Sequence, residues 1–356
     1  MSSLNGLSKP ALAWYRANRR PLPWRTDPQP YPVLISEFML QQTRVEAVIP
    51  YFERWMAALP DFVALAQAPI DRVLALWEGL GYYRRAHNLH HLARIVISDH
   101  GGALPGDLEA MRALPGVGRY TAGAIASIAF DIDTPAVDGN VKRLLARCFN
   151  VADFIDRTPG ENSIWQLAAE HLPPGRAADY NQALMGLGSR VCLPRNPLCE
   201  DCPLQSGCQA HRLGLQSQLP RRAPKAAPAQ RYAAAAVILD GPNVLMHRRP
   251  DDGLLAGMWE FPNVPLTSTR SRPAALASEL LTNHQLPIHP GDPFDPLDQQ
   301  YSHFRLRLYP YECVLLPGSP ALRERPGWRW ASLDQLASLP MGRLDRRLAG
   351  LLLERH

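Results

Sequence analysis

The sequence of 356 residues has no stretch that approaches the roughly 20 consecutive apolar residues needed to span a bilayer. Its first ten residues lack the basic start and apolar core of a secretory signal. We therefore expect a protein without a membrane segment that works in the cytoplasm. We also expect it to act as a monomer.

Neither sign of charge dominates, because 38 Lys and Arg face 33 Asp and Glu, a formal net charge of +5. So small an excess permits a polyanionic partner without requiring one. A hydrophobic content of 46% with 20% charged residues is a globular balance, and the length predicts two domains. Proline is abundant at 35 residues, so we expect many helix stops.

Strand signals are almost absent from the first two hundred residues. Apolar residues recur there at intervals of three and four, as in the series Val45, Val48, Ile49, Phe52, Trp55 and Met56. Prolines divide the region into helices too short to be stable unless they pack on one another. The pattern predicts an all-α domain over residues 1–211.

Residues 212–231 contain prolines, alanines and basic residues but no acidic ones, which is typical of a linker. Its basic charge fits a solvated tether, and a contact with DNA phosphates remains open. After the linker the period changes to two, with strands predicted at 233–239, 244–246, 304–308 and 328–330 and a helix at 273–283. Together with a short final helix, these elements predict a second domain of the α+β class over residues 232–356.

Cysteine is scarce, and four of the six thiols lie between residues 192 and 208. The spacing is Cys-x6-Cys-x2-Cys-x5-Cys, formed by Cys192, Cys199, Cys202 and Cys208. Four thiolates on one short loop are the usual shell of a 4Fe-4S cluster, which would hold the loop folded. Zinc is the alternative, although its structural sites prefer paired short spacings and this loop has one. The two isolated thiols, Cys148 and Cys313, are expected to be small buried hydrophobes.

The segment Leu114–Tyr120 lies between predicted helices at 107–113 and 121–130. Gly116 and Gly118 allow a tight turn that directs backbone N–H groups outward at the start of the second helix, where the dipole favours phosphate. Such a hairpin grips duplex DNA without reading its bases. As a bare pattern, a Gly-x-Gly turn is more often only a helix connection, but the flanking Leu-Pro and the helix that follows favour the phosphate clamp.

Five ordered motifs carry a family resemblance. They are Ser36–Thr43, Gly81–Ala86, the Leu114–Tyr120 hairpin, Val137–Val141 and the four cysteines. Together they resemble the adenine DNA glycosylases of the helix-hairpin-helix superfamily, typified by endonuclease III. The resemblance implies a multidomain protein whose first domain is an all-α helix-hairpin-helix glycosylase domain carrying an iron–sulfur cluster loop at 192–208. It also implies base excision repair in bacteria, at the nucleoid.

Adenine leaves poorly as an anion, so its excision needs a proton on the base and a negative charge beside the sugar cation. The resemblance implies that Glu37 protonates adenine at N7 and later assists water, while Asp138 stabilises or covalently traps the sugar, as in paired-carboxylate sugar hydrolases. Asn140 resembles the active-site amide of the family. Taken alone, Glu37 would be a solvated charge in a helix beginning near Ser36, and Asp138 a turn or cap residue.

Tyr120 resembles a hydroxyl that lies near the sugar. Bifunctional relatives have a lysine there, whose amine forms a Schiff base and nicks the strand, and a phenol cannot replace it. We therefore expect a monofunctional enzyme that leaves the strand intact.

The target base must leave the stack to reach Glu37. The resemblance assigns Tyr82 and Gln42 as residues that fill the gap in the duplex. It assigns Arg20, Trp24 and Arg25 to the wall of the base pocket. Without the resemblance, Tyr82 could simply pack in a core.

The segment Gly257–Pro262 and the helix after it resemble a Nudix-type domain, but that helix retains Glu279 and lacks the other carboxylates that hold magnesium for hydrolysis. The resemblance therefore implies a Nudix-like recognition module for 8-oxoguanine opposite adenine. Tyr301, Ser302 and His303 match its contact loop, with tyrosine in place of phenylalanine.

One position departs from the family, since Gly186 stands where an acidic residue is common. This departure leaves open the stability of its helix and its contacts with the site. The expected partner is duplex DNA containing 8-oxoguanine:A or G:A mispairs. A related thymine or uracil glycosylase and a non-catalytic DNA clamp are the alternatives.

Overall fold

The computed structural model describes residues 6–224, 227–268, 271–317 and 325–355. These residues form two compact units. The first consists of the chain up to Ala68 and from Asn88 to the linker. The second combines Pro69–His87 with the chain that follows the linker. One internal segment of the helical sequence therefore belongs to the second unit.

The chain before the linker is helical, as the spacing of apolar residues predicts. Its helices are α1 (Ser8–Asn18), α2 (Pro23–Thr26), α3 (Pro30–Leu40), α4 (Val45–Ala58), α5 (Phe62–Gln67), α6 (Ile70–Trp77), α7 (Arg84–Asp99), α8 (Leu108–Ala113), α9 (Arg119–Phe130), α10 (Gly139–Cys148), α11 (Thr158–Glu170), α12 (Ala177–Arg190) and α13 (Gln209–Leu213). Proline at the first helical position begins α2 and α3, where its missing N–H costs nothing. Aspartate side chains cap the N-termini of α5, α8 and α10.

A core between α1, α10, α11 and α12 organises the first unit. Its largest fully buried side chain is Tyr180, which packs with Val141, Leu145 and Leu187. Three of the four clustered cysteines pack against the edge of this core. The iron–sulfur loop predicted at 192–208 thus packs against the core that contains α10, the helix that carries Asn140 and is capped by Asp138.

After the linker come eight strands and two α-helices among the described residues, with a 3-10 helix at Leu333–Ser338. They are β1 (Ala229–Asp240), β2 (Asn243–Arg248), β3 (Trp259–Glu260), β4 (Asn263–Leu266), α14 (Arg272–His284), β5 (Ile288–Pro293), β6 (Leu297–Gln300), β7 (Phe304–Leu315), β8 (Trp328–Ser332) and α15 (Arg343–Arg355). The sheet order is β3-β2-β1-β7-β5, with β4 on β1, β6 on β7 and β8 on β2. β1 and β7 run parallel, in register from Ala229 with Phe304 to Ile238 with Cys313.

Strand β1 is buried on both faces, which its near-continuous apolar run allows. Ala233, Ala235 and Val237 face a core shared with α15. The intervening residues, Ala234, Ala236 and Ile238, face a second core shared with α14. The α+β class predicted for this part of the chain, including its helix and four strand positions, is confirmed.

The linker differs from the solvated tether expected of it. Leu219 is buried, and its carbonyl accepts a hydrogen bond of 2.9 Å from Nε of Arg147. The carbonyl of Arg221 accepts one of 3.1 Å from the Ile155 amide. The first part of the linker is therefore fixed to the first unit. β1 begins at Ala229, three residues before the predicted boundary, and the domain limits stay a prediction.

Across the described ranges of the chain, no helix has the length and the apolar character needed to cross a membrane.

Candidate active site

Glu37 lies in the third turn of α3 and is 5% exposed. The helix begins at Pro30 and not near Ser36, so the expectation of a solvated first-turn charge is wrong for this residue. Tyr120, in the first turn of α9, donates a hydrogen bond of 2.6 Å to Oε2 of Glu37. Contact between α3 and α9 thus sets a phenol beside a buried carboxyl group.

Burial raises the pKa of Glu37 to about 6. The hydrogen bond from Tyr120 and the positive charge of Arg25 lower this pKa, whereas the charge of Asp138 raises it. A carboxyl group with such a pKa still holds a proton near neutral pH in part of the molecules. It can therefore donate that proton, which is the property required of a general acid.

Asp138 is the N-cap of α10 and accepts hydrogen bonds from the backbone amides of Asn140 (2.9 Å) and Val141 (2.7 Å). Nδ2 of Asn140 also donates to its second oxygen at 2.8 Å. Burial raises the pKa of Asp138, and these donors offset part of the rise by stabilising the anion. Asp138 is therefore a helix cap, which was the alternative interpretation of its sequence. The same carboxylate also raises the pKa of Glu37 through its negative charge.

Arg143 fixes Asn140 from behind. Its Nη2 donates to Oδ1 of Asn140 at 2.9 Å and to the Gly188 carbonyl at 2.7 Å, and its Nε donates to the Cys192 carbonyl at 2.8 Å. Gly188 permits this arrangement, because a Cβ there would lie 2.7 Å from Cβ of Asn140. The amide of Asn140 is therefore oriented by a guanidinium that also contacts the first cysteine of the loop.

A small open cavity lies beside Glu37. Its lining consists of Trp24, Arg25, Val33, Ser36, Glu37, Ile128, Gln182 and Met185. Two of the three residues predicted for a base pocket are therefore on its wall. Arg20 is not, since its guanidinium pairs with Glu46 at 2.7 Å on the exposed side. Asp138 does not line the cavity either, although its charge acts on both Glu37 and Tyr120.

Gln182 lines this cavity, although no role was predicted for it from the sequence. Its side chain is 7% exposed, and its Nε2 donates to the Ala178 carbonyl at 3.1 Å. Within the residues that the structure describes, its Oε1 is buried without a hydrogen-bond partner. A buried acceptor without a partner is costly, so an oxygen of this kind on a cavity wall suits a ligand that carries an N–H donor. It lies in α12 four residues before Gly186, and the resemblance of this segment to the family was the available signal.

The predicted hairpin is present between α8 and α9. Gly116 has φ +77°, and a Cβ there would come within 2.9 Å of both Asn88 and Phe38. Gly118 is the N-cap of α9, and a Cβ there would meet nothing within 4 Å. Gly116 is therefore required by close packing, whereas Gly118 leaves its side of the turn open to a ligand.

The two predicted wedge residues share an unusual backbone. Gln42 (φ 61°) and Tyr82 (φ 49°) both have left-handed backbone conformations, which residues other than glycine rarely adopt. Tyr82 is 52% exposed, so it is not the core residue that its isolated sequence would allow. Strained, exposed residues of this kind are often found where a protein meets its ligand.

Ser302 and His303 are exposed in the tight turn between β6 and β7. The rings of Tyr301 and Phe304 stack beneath them at 4.8 Å. The Ser302 and Tyr82 hydroxyls, 220 positions apart and both in the second unit, lie 2.9 Å from each other. The structure therefore brings a predicted wedge residue and a predicted reader of 8-oxoguanine together.

The four cysteines line a common small cavity, to which Cys148 also contributes. In the described ranges, no three Cys, His, Asp or Glu side chains converge as ligands of a single metal ion. Four cysteines around one cavity match the donor set of a 4Fe-4S cluster. Cys148 and Cys313 are buried, as expected of small hydrophobes.

Gly186 does not interrupt α12, which continues to Arg190. A Cβ at this position would lie 3.1 Å from the Trp14 ring, so a larger side chain would displace that ring. Its neighbour Met185 contacts the Tyr120 hydroxyl through Sδ at 3.8 Å. The departure from the family is accommodated by Trp14, and the helix still reaches the site.

Three family models match the chain. Residues 35–170 match the HhH-GPD superfamily of base excision DNA repair proteins, and residues 192–208 match the iron–sulfur binding domain of endonuclease III. Residues 234–350 match the NUDIX domain. The iron–sulfur cluster inferred from the cysteine spacing is therefore confirmed, and Cys192, Cys199, Cys202 and Cys208 are the residues that would hold it.

Known proteins similar to the chain support the same conclusion. A solved thermostable thymine-DNA glycosylase is 31% identical with a TM-score of 0.54, over 57% of this chain and 94% of that one. The adenine DNA glycosylase of Rattus norvegicus is 38% identical over 91% of this chain and 73% of its own length. That of Homo sapiens is 36% identical over 91% and 70%. The chain therefore belongs to the adenine DNA glycosylase family of base excision repair enzymes.

Proposed function

We propose that this protein removes adenine from duplex DNA where it faces 8-oxoguanine or guanine, and that it leaves the sugar–phosphate strand intact. The observation that carries this proposal is the cavity in which the buried carboxyl of Glu37 and the unpartnered Oε1 of Gln182 face the same space. The first is a proton donor and the second a hydrogen-bond acceptor. Adenine can accept a proton at N7 and donate one from its exocyclic amine.

Proton transfer from Glu37 to N7 would allow the N-glycosidic bond to break with its electron pair moving to adenine. The sugar is left as an oxocarbenium-like cation. Water then adds to that cation, and its proton returns to the Glu37 carboxylate. Such proton donation contributes a rate factor of about a hundred to ten thousand.

Asp138 would stabilise the sugar cation or trap it covalently. The amide hydrogen bonds described above keep its carboxylate fixed at the N-terminus of α10. Asn140, held by Arg143, restrains it from the side. Tyr120 is committed to Glu37 and carries no amine, so it supports monofunctional chemistry.

The second unit would inspect the base opposite adenine. Its Nudix-like sheet presents Ser302 and His303 in an exposed turn, and α14 has Glu279 but none of the further carboxylates that magnesium-dependent hydrolysis needs. A recognition role accounts for both features. We further propose that the protein acts as a monomer on DNA in the bacterial cytoplasm. Sedimentation of the free and DNA-bound chain would test whether it is a monomer.

The decisive experiment is single-turnover digestion of duplexes containing 8-oxoguanine:A, G:A, T:G or U:G, with and without hot alkali. We expect alkali-dependent scission at adenine in the first two. Excision of thymine or uracil would favour a glycosylase of the kind found among the solved structures. Binding without any excision would favour a DNA clamp, and scission without alkali would contradict the role given to Tyr120.

The single-turnover excision rate should fall as the pH rises through about 6, because the acid form of Glu37 is lost above its raised pKa. Tyr120→Phe removes a hydrogen bond that lowers this pKa, so the descending limb should move to higher pH. These rates are measured at saturating enzyme, so that a change in DNA affinity does not contribute to the pH profile. Tyr51→Phe, on α4, is the control and should leave the profile in place, and an unmoved limb in Tyr120→Phe would count against Glu37 as the titrating acid.

Gln182→Met should lower kcat/KM for adenine excision about tenfold, since the buried acceptor is replaced by a thioether of similar length. A lost hydrogen bond is worth about 1 kcal/mol, and more when its partner stays buried. Gln166→Met is the matched control, because Gln166 is exposed on α11 and bonds to Glu170. Equal kcat/KM values for wild type and Gln182→Met would remove Gln182 from the pocket chemistry.

A further inference from the structure

The loop that carries Tyr82 is held by an ion pair at its first residue. Nε and Nη2 of Arg346, in α15, donate to the two carboxylate oxygens of Glu78 at 2.7 and 2.9 Å. The same guanidinium donates to the carbonyls of Leu336 and Leu339. All of these residues belong to the second unit. Arg346 thus links the Glu78 carboxylate to the backbone at Leu336 and Leu339, just before α15.

The loop that follows Glu78 has a demanding backbone. Gly79, Gly81 and Tyr82 have φ values of 102°, 70° and 49°. Arg85 braces the loop by donating from Nη2 to the carbonyls of Leu80 (3.1 Å) and Gly81 (2.9 Å). A left-handed conformation at a tyrosine persists when its surroundings fix the chain on both sides. Arg85 does so after the turn and Glu78 does so before it.

Two further contacts hold the same segment. Asp71 in α6 pairs with Arg248 of β2 at 3.2 Å, and Nε2 of His87 lies 2.9 Å from the Ala256 carbonyl. These contacts lie at the two ends of Pro69–His87, with Glu78 near its middle. At the tip of the loop, the Tyr82 and Ser302 hydroxyls are 2.9 Å apart.

We propose that Arg346 and Glu78 are positioning residues that set the spacing between Tyr82 and Ser302, and so determine how strongly the enzyme prefers 8-oxoguanine to guanine opposite adenine. This inference rests on the proposed function. Oxidised guanine differs from guanine by one oxygen and one N–H, so a reader of that edge needs its contacting groups at a fixed distance. The ion pair and the loop that carries Tyr82 both belong to the second unit, and the ion pair acts through that loop.

The test compares wild type with Glu78→Gln, Arg346→Gln and the double variant. Single-turnover rates are measured on 8-oxoguanine:A and G:A duplexes with the full chain. We expect the ratio of the two rates to fall about fivefold in each single variant, a size typical of a well-formed ion pair, and no further in the double variant. Arg343→Gln is the control, because Arg343 is an exposed arginine at the start of the same helix. An unchanged ratio, or single effects that multiply in the double variant, would overturn the inference.

Hydrogen exchange of the free protein gives a second readout that does not depend on catalysis. Amides of residues 79–83 should exchange faster in Glu78→Gln than in wild type and in Arg343→Gln. Arg346→Lys keeps the positive charge but loses the two-pronged hydrogen bond of the guanidinium. A rate ratio in Arg346→Lys that lies between those of Arg346→Gln and wild type would show how much of the effect comes from charge alone. If wild type removes adenine from neither duplex, the proposed function fails. Unchanged exchange in the loop would refute the positioning role by itself.

Discussion

Glu37→Gln should lower the single-turnover rate of adenine excision by about a thousandfold or more while leaving duplex affinity within about twofold. The amide keeps the size of the side chain and an acceptor for the Tyr120 hydroxyl, but it has no proton of suitable acidity to give. Binding should persist, because the hairpin with Gly116 and Gly118 and the exposed Tyr82 are untouched. Rates come from saturating enzyme on an 8-oxoguanine:A duplex, and affinity comes from fluorescence anisotropy.

Thermal unfolding shows whether the Glu37 variant is folded. The folded-state pKa of Glu37 is raised to about 6, so its ionised form is less stable in the protein than in the unfolded chain. Stability is lost as the pH rises through that value, and a neutral amide avoids the loss. Tm of Glu37→Gln at pH 8 should therefore equal or exceed that of wild type. Glu53→Gln, an exposed change on α4, should keep full activity, and retained excision in Glu37→Gln would reject Glu37 as the acid.

Asp138→Asn should also lower excision by at least about a hundredfold, since it removes the negative charge beside the sugar cation. Asparagine caps helices about as well as aspartate, so the N-terminus of α10 should remain intact. Single-turnover rates on the same duplex measure the loss, and circular dichroism checks that the helix content is unchanged.

Asp61→Asn is the matched control for Asp138. Asp61 caps α5 by accepting a hydrogen bond of 2.7 Å from the Ala64 amide and is exposed. Asp61→Asn therefore replaces an aspartate helix cap with asparagine but leaves the proposed active-site charge of Asp138 in place. If Asp138→Asn and Asp61→Asn were equally active, Asp138 would be a helix cap and nothing more.

The fold was largely accessible from the sequence, because it follows from local periodicity. Helical spacing before the linker and alternation after it are properties of neighbouring residues, and the structure matches both. The start of the helix that carries Glu37 is predicted near Ser36, whereas α3 begins at Pro30, because proline is favourable at the first helical position. The burial of Glu37 depends on how α3 packs against α9 and α4, which residues near it in the sequence do not encode.

Contacts between distant residues were less accessible. The unpartnered oxygen of Gln182 depends on how α12 packs against the helices around the cavity, and no local pattern encodes it. The proximity of Tyr82 and Ser302 joins positions 220 residues apart. Family resemblance named both residues, but it did not predict that they would touch. Arg20 shows the reverse case, since a residue assigned by resemblance pairs with Glu46 instead of facing the cavity.

The discontinuous composition of the second unit has a consequence for dissecting the protein. A fragment ending at the linker would retain Pro69–His87 yet lose Arg248, Ala256 and Arg346, the partners that this stretch contacts. A fragment starting at the linker would in turn leave those three groups facing water. Activity lost on truncation would therefore reflect altered contacts around the loop that carries Tyr82 as well as the absence of the rest of the second unit.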